Sequence, residues 1–351
     1  MVVGVRRAAV RPSINLQQDR VSAGYRNRIG KAGALFVCWA GNQGIEPRLL
    51  AQLPENVPEL NRLLVGFAQH CWDTGKAEWT ARYAILWFQL HFRSLKGHLR
   101  LAWDSLFSCK ALEGVRSRVP MRIEIVGALS YFSVLAGCFL DPQNFLDWIA
   151  FGVAIRTAFA GLLRPAELFS LRRKSVLLPS RLAFRFLDVG VLSIEEPKNK
   201  ASGASRQVRL VRDRSALQWL VWYATNLPME GPLWPFGAAR FNTLLKDALR
   251  FYALNGLGLT AGSLRAGGAT HLLEIGVSVG EIKFLGGWSA ERMLCHYLQT
   301  AESAATLLAL SPTQASRLSG GLDLLGFLEA PPKISVTQLR KAWTAISQGS
   351  R

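Results

Sequence analysis

Apolar residues recur at helical spacing along most of this chain, and only at 183–212 does the period fall to two. Phe184 and Phe186, then Val191 to Ile194, then Val208 and Leu210 alternate with polar residues, as half-buried strands do. Asp188-Val189-Gly190 and the stretch 198–205 supply turn residues between them. Such an interruption of an otherwise helical pattern reads as a small antiparallel sheet of two or three strands in a mainly α fold.

The helical parts divide at Val119-Pro120, because a residue before proline disfavours helix. Before it, Leu60, Leu63, Leu64, Phe67 and Cys71 mark one helix and Trp79 to about Phe92 a second. The second runs into Arg93, Lys96, His98 and Arg100. This predicts an all-helical bundle over 55–117 with a basic side, its Trp72, Trp79, Trp87 and Trp103 read as core. Residues 1–54 read as a basic, partly disordered arm; Arg6, Arg7, Arg11, Arg20, Arg26 and Arg28 face Asp19 alone in 1–30. After the boundary, 123–138 and 143–162 read as apolar helices and Arg164-Pro165 opens a short one, with Pro in its first turn. Helical pattern resumes after the strands to about 310. The tail, 311–351, carries one candidate helix, 336–346.

Charge narrows the partner. Lys and Arg number 42 against 24 Asp and Glu, a formal +18, which favours a polyanion. Nucleic acid leads and an anionic membrane surface is second. The five cysteines, Cys38, Cys71, Cys109, Cys138 and Cys295, are odd in number and form no CxxC pair. Neither a disulfide framework nor a zinc site is indicated, and a reducing compartment fits. No secretory leader is expected, and the apolar run Ile125 to Leu140 is short of a span of roughly 20 residues. It reads as a buried helix.

The chemistry-bearing residues come late. Gly161-Leu162-Leu163-Arg164-Pro165-Ala166-Glu167-Leu168 is followed by Pro197-Lys198-Asn199-Lys200 in the hairpin region. Then come Gly262-Ser263-Leu264-Arg265-Ala266-Gly267-Gly268-Ala269-Thr270, Gly287-Trp288-Ser289 and His296-Tyr297-Leu298. An Arg near a helix start can grip phosphate oxygens in two places, and the helix N-terminus adds attraction for an anion.

The order Arg, hairpin Lys, Arg, Trp, Tyr resembles the tyrosine recombinase (phage integrase-like) family over about 120–305. Trp288 follows Arg265 by 23 residues and Tyr297 follows Trp288 by 9, as in that family. The wording Arg-Ala-Gly-Gly-Ala-Thr is similar to recombinases of eukaryotic tyrosine-recombinase retrotransposons. The resemblance implies a catalytic domain over 118–310 preceded by a core-binding domain that clamps DNA. It implies strand cleavage and rejoining through a 3′-phosphotyrosyl intermediate, in recombination or integration of a mobile element, on double-stranded DNA and as a homo-oligomer. It implies no cofactor and no metal, a nuclear or otherwise DNA-associated intracellular location, no membrane, and a tail that docks on a neighbouring protomer.

The resemblance implies a role for each residue, with Tyr297 as the nucleophile. Arg164 and Arg265 clamp the non-bridging oxygens, with Glu167 orienting Arg164 or merely pairing with it. Lys198 or Lys200 is the general acid, Lys198 preferred. Trp288 donates its indole N–H, packs beneath the Tyr, or both. Arg172, Arg173, Lys174, Arg206 and Arg212 are candidate backbone contacts, with an exposed basic face as the plain alternative. One position departs from the family: the residue three before the second Arg is usually His and is here Gly262. The missing acid–base group would cost about 10²–10⁴ in rate. The alternative reading is therefore a catalytically impaired DNA-binding descendant. His271 lies two turns away, and His296 would point elsewhere on a helix.

Overall fold

The computed structural model describes residues 23–113, 118–179, 188–195, 207–225 and 227–323. It separates into two compact units, Met1–Arg116 and Ser117–Arg351.

In the first unit, five helices form a bundle: α1 (Ala23–Asn42), α2 (Pro47–Gln52), α3 (Val57–Asp73), α4 (Glu78–His91) and α5 (Arg100–Glu113). The arm expected over 1–54 is therefore helical from Ala23 onward. Ile29, Ala32, Phe36 and Ala40 are buried at helical spacing, a pattern overshadowed in the sequence by Arg26 and Arg28. Phe36 meets Phe67 and Phe88 edge to face, with centroids 5.5 and 5.3 Å apart, the arrangement that ring quadrupoles favour. Gly33 leaves room for the Trp87 ring, which would lie 2.6 Å from a Cβ there. Trp87 and Trp103 pack against the core as expected. Trp72 and Trp79 do not; they are exposed, because they fall off the buried stripe of their helices.

The second unit is built on α6 (Ile123–Leu135) and α7 (Phe145–Ala160), the two apolar helices of the sequence reading. A π-helical turn, Ala136–Leu140, extends α6. Among the described residues only Ile123–Leu140 is long and apolar enough to cross a bilayer, and half of that window is buried in the fold. Next come α8 (Pro165–Ser170) and the strands β1 (Val176–Leu177), β2 (Gly190–Ile194) and β3 (Gln207–Val211). They form one antiparallel sheet in the order β1-β2-β3, pairing Val176 with Leu192 and Leu192 with Arg209. Phe184 and Phe186 lie outside the described residues.

Helices α9 (Arg214–Ala224), α10 (Ala238–Phe251), α11 (Ala261–Glu274), α12 (Val279–Gly286), α13 (Glu291–Cys295), α14 (Thr300–Leu308) and α15 (Pro312–Asp323) complete the unit. Helix α11 is buried on every side from Ala261 to Thr270. Its glycines explain how. A Cβ at Gly267 would overlap the Met121 carbonyl, and one at Gly268 would overlap the Phe159 carbonyl. Backbone cannot yield as a side chain can, so both positions require glycine. The start of the expected tail is also not free: Leu318 is buried, and Gln314 donates to the Ala253 carbonyl at 2.6 Å. The candidate helix at 336–346 lies outside the described residues.

Candidate phosphate site

Five parts of the chain deliver the site. Helix α7 ends at Gly161, and Leu162 turns the chain with φ +50°. A branched side chain pays strain of about 1 kcal/mol or more in that region. The turn aims the Leu162 carbonyl at the Arg265 guanidinium, which donates to it through Nη1. Two residues later Arg164 caps α8, and the Glu167 Oε2 accepts the Arg164 backbone N–H at 2.9 Å.

Around Glu167 three guanidinium groups collect. Arg164 Nη1 lies 2.5 Å from Oε1, Arg209 Nη2 3.5 Å from Oε1, and Arg265 Nη1 3.9 Å from Oε2. Glu167 and Arg209 are each 2% exposed and Arg265 is 1% exposed. Arg164 is half-buried beside them, so three positive charges face one negative. Burial first, and next the Arg164 charge, push the Arg265 pKa down. Burial dominates at Arg209 too, with Arg164 opposing the help that Glu167 gives. Both shifts come first from burial of the cations, with repulsion by Arg164 adding to it.

Arg209 was not among the sequence candidates. It sits on β3 between Val208 and Leu210, and strand alternation turns it inward with Val211. Gln207 Oε1 accepts from its Nη2 at 2.8 Å. Gly287 opens the space beside it: φ there is +61°, and a Cβ would stand 2.5 Å from Arg209 Nη1. The available signal was a charged residue on the inward register of a strand, which demands a buried partner.

Trp288 lies over Arg265, with the guanidinium carbon 3.9 Å from a ring centroid, within cation–π range. The Arg265 Nη2 donates to the Gly286 carbonyl at 2.8 Å. Trp288 is buried with Leu162, Ala269, Ile282 and Leu294, so it packs in this small core as well as against Arg265. Three N–H donors of the cluster have no partner among the described residues: Arg209 Nε, Arg265 Nε and Trp288 Nε1. An unpaired buried donor costs about 1–3 kcal/mol.

Tyr297 is half-buried in the turn that follows α13. Its ring meets Trp288 edge-on, centroids 5.2 Å apart, and lies 5.5 Å from the Arg265 guanidinium carbon. The turn is tied to α11 by buried Thr270, whose hydroxyl donates to the Tyr297 carbonyl at 2.9 Å and accepts from Gln299 N–H at 3.3 Å. Thr270 is thus a positioning residue that the sequence reading did not single out. His296 shares the turn and is exposed.

The structure therefore gathers Arg164, Glu167, Arg265, Trp288 and Tyr297, and adds Arg209. Lys198, Lys200 and Arg206 lie outside the described residues. The remaining basic candidates are engaged elsewhere or solvated. Arg173 donates to the Ala224 and Val176 carbonyls at 2.7 and 2.9 Å. Lys174 pairs with Glu230 at 2.7 Å and Arg212 with Glu281 at 2.6 Å; Arg172 is exposed. His271 and Arg212 border a separate cavity of about 910 Å³ that none of the cluster side chains lines. Among the described residues no group of His, Cys, Asp and Glu has metal-binding geometry.

No family model matches the chain, and no curated protein matches its sequence. Several solved structures are similar to it. A Tn1549 transposon integrase in complex with circular intermediate DNA shares 13% identity, covering 79% of this chain and 99% of that one, at a TM-score of 0.48. A lambda integrase dimer bound to a core site shares 12%, covering 78% and 77%, at 0.45. The XerH site-specific recombinase bound to its palindromic substrate shares 13%, covering 72% of each chain, at 0.44.

Proposed function

We propose that this chain binds duplex DNA and cleaves and rejoins one strand through Tyr297, as a recombinase of a mobile element. The carrying observation is the cluster around Glu167. Two buried guanidinium groups and a half-buried third meet one carboxylate, and three buried N–H donors have no partner among the described residues, an arrangement suited to an anion. A phosphodiester supplies the missing charge and the missing acceptors together. The tyrosine whose ring abuts that cluster is then the nucleophile within reach.

In this reading the Tyr297 hydroxyl attacks phosphorus and its proton passes to water. The bond to the 5′-oxygen breaks, and that oxygen takes a proton from Lys198 or Lys200. The 3′-phosphotyrosyl link conserves the bond energy, so rejoining by a 5′-hydroxyl needs no nucleotide cofactor. Arg164, Arg265 and Trp288 bear on the charge that grows on the non-bridging oxygens, where fixed donors act most strongly. Glu167 holds Arg164, Arg209 and Arg265 in place. Function as a homo-oligomer in DNA-associated compartments, and the tie to retrotransposon-type elements, belong to the same proposal.

A second reading draws on Gly262, which leaves the helix start without its acid–base side chain: a DNA-binding descendant that no longer turns over. A suicide duplex, nicked so that the cleaved end diffuses away, separates them. The first reading expects a covalent protein–DNA band that disappears in Tyr297→Phe. DNA binding with no such band at any pH or time selects the second.

A further inference from the structure

The absence of a side chain at Gly262 is not an empty place. A Cβ built there would overlap Arg118 Nη1 and lie 2.7 Å from its guanidinium carbon and 2.9 Å from its Cδ. The Arg118 side chain thus lies where any residue at 262 would have to project. Its backbone is anchored for this. The Met121 N–H donates to the Ser263 carbonyl at 3.0 Å, and Pro120 and Met121 are buried. The segment before α6 therefore runs along the first turn of α11.

Arg118 is exposed and brings a positive charge to the first turn of α11. The N-terminal turn of a helix carries positive partial charge and repels cations. Arg265 sits three residues on, so positions 262 and 265 are neighbours on the helix surface. Among the described residues no carboxylate pairs with Arg118. A second guanidinium at that turn, three residues before Arg265 on the helix and exposed to solvent, is placed to meet an anion at the helix start.

We infer that Arg118 is a catalytic residue of this site, a guanidinium reaching the scissile phosphate from the position where the resembling family has its histidine. The inference rests on the recombinase reading of the site. It gives the glycine a purpose: Gly262 clears the path for a side chain delivered from another segment. A guanidinium can donate to a non-bridging oxygen but does not accept a proton near neutral pH. Arg118 thus replaces the electrostatic share of the histidine's work and not its acid–base share.

The test uses the full chain with Arg118→Ala, Arg118→Lys, Gly262→His and the double variant Arg118→Ala/Gly262→His, each checked for a native melt. Two quantities are read: the rate of covalent trapping on a nicked duplex, and the slope of log affinity against log salt on an uncleavable duplex. Removing Arg118 is expected to slow trapping by about 10²-fold and to lower the salt slope by about 1. Gly262→His alone is expected to slow trapping, since the imidazole collides with Arg118. The double variant is expected to trap faster than either single variant. Trapping and slope both unchanged in Arg118→Ala would overturn the inference while leaving the recombinase reading standing. If the wild type traps nothing, the recombinase reading fails, and an unchanged slope or a lowered one still decides whether Arg118 meets phosphate.

Discussion

Glu167→Gln removes the single negative charge among three guanidinium groups and keeps nearly the same volume. In the wild type, Oε1 serves Arg164 at 2.5 Å and Arg209 at 3.5 Å, while Oε2 faces Arg265 at 3.9 Å. The carboxylate is 2% exposed, so solvent screens these pairs little. An amide oxygen can still accept the Arg164 backbone N–H, so the start of α8 is retained. What is lost is charge. Removing one partner of a buried ion pair costs about 3–5 kcal/mol, because the other partner is left uncompensated. For a unit of this size that corresponds to a fall in melting temperature of about 6–20 °C. Thermal melts followed by near-ultraviolet circular dichroism measure it. Sulfate should restore part of the loss, because it supplies charge to the same arginines. A loss under about 1 kcal/mol, or no difference between sulfate and chloride at equal ionic strength, would refute the picture of one carboxylate holding three cations.

Other consequences follow from the same geometry. Inorganic phosphate at ten times its dissociation constant should stabilise the wild type by about 1.4 kcal/mol, and this gain should vanish in Arg265→Ala, as melts in phosphate and chloride will show. Thr270→Val leaves the Tyr297 carbonyl without its buried donor; stability should fall by about 1–2 kcal/mol and cleavage by about 10²-fold through misplacement of the nucleophile, with duplex affinity unchanged in a gel-shift titration. Gly268→Ala drives a methyl into the Phe159 carbonyl and should cost about 2–3 kcal/mol in urea unfolding, although its surface is untouched. Trp288→Phe keeps a ring over Arg265 and loses the indole donor, so folding should persist while trapping slows.

The switch in apolar period to two located the sheet, and Arg164, Glu167, Arg265, Trp288 and Tyr297 were readable as one site because motif order and spacing survive without coordinates. Arg209 was not, because its partners, Glu167 and Gln207, come from another element and from the residue two before it; only the pairing β2 with β3 and the pleat turn it inward. Arg118 was hidden for a similar reason. It precedes Gly262 by more than a hundred residues, and a glycine shows in sequence only what is missing, never what fills the space. Helix α1 was obscured because arginines beside Ile29 made a packed helix look like a basic arm. Trp72 and Trp79 erred the other way, since an aromatic on a helix does not disclose which face it occupies.

The central claim is that Tyr297 attacks a phosphate held by the arginine cluster, and the most direct measurement locates the bond. A suicide duplex carrying a labelled 3′ segment is trapped with the wild-type protein, digested with protease and nuclease, and sequenced by mass spectrometry. The account predicts a nucleotide attached to the peptide containing Tyr297, on that tyrosine, and no adduct in Tyr297→Phe. An adduct on any other residue, or cleavage that persists in Tyr297→Phe, would contradict it.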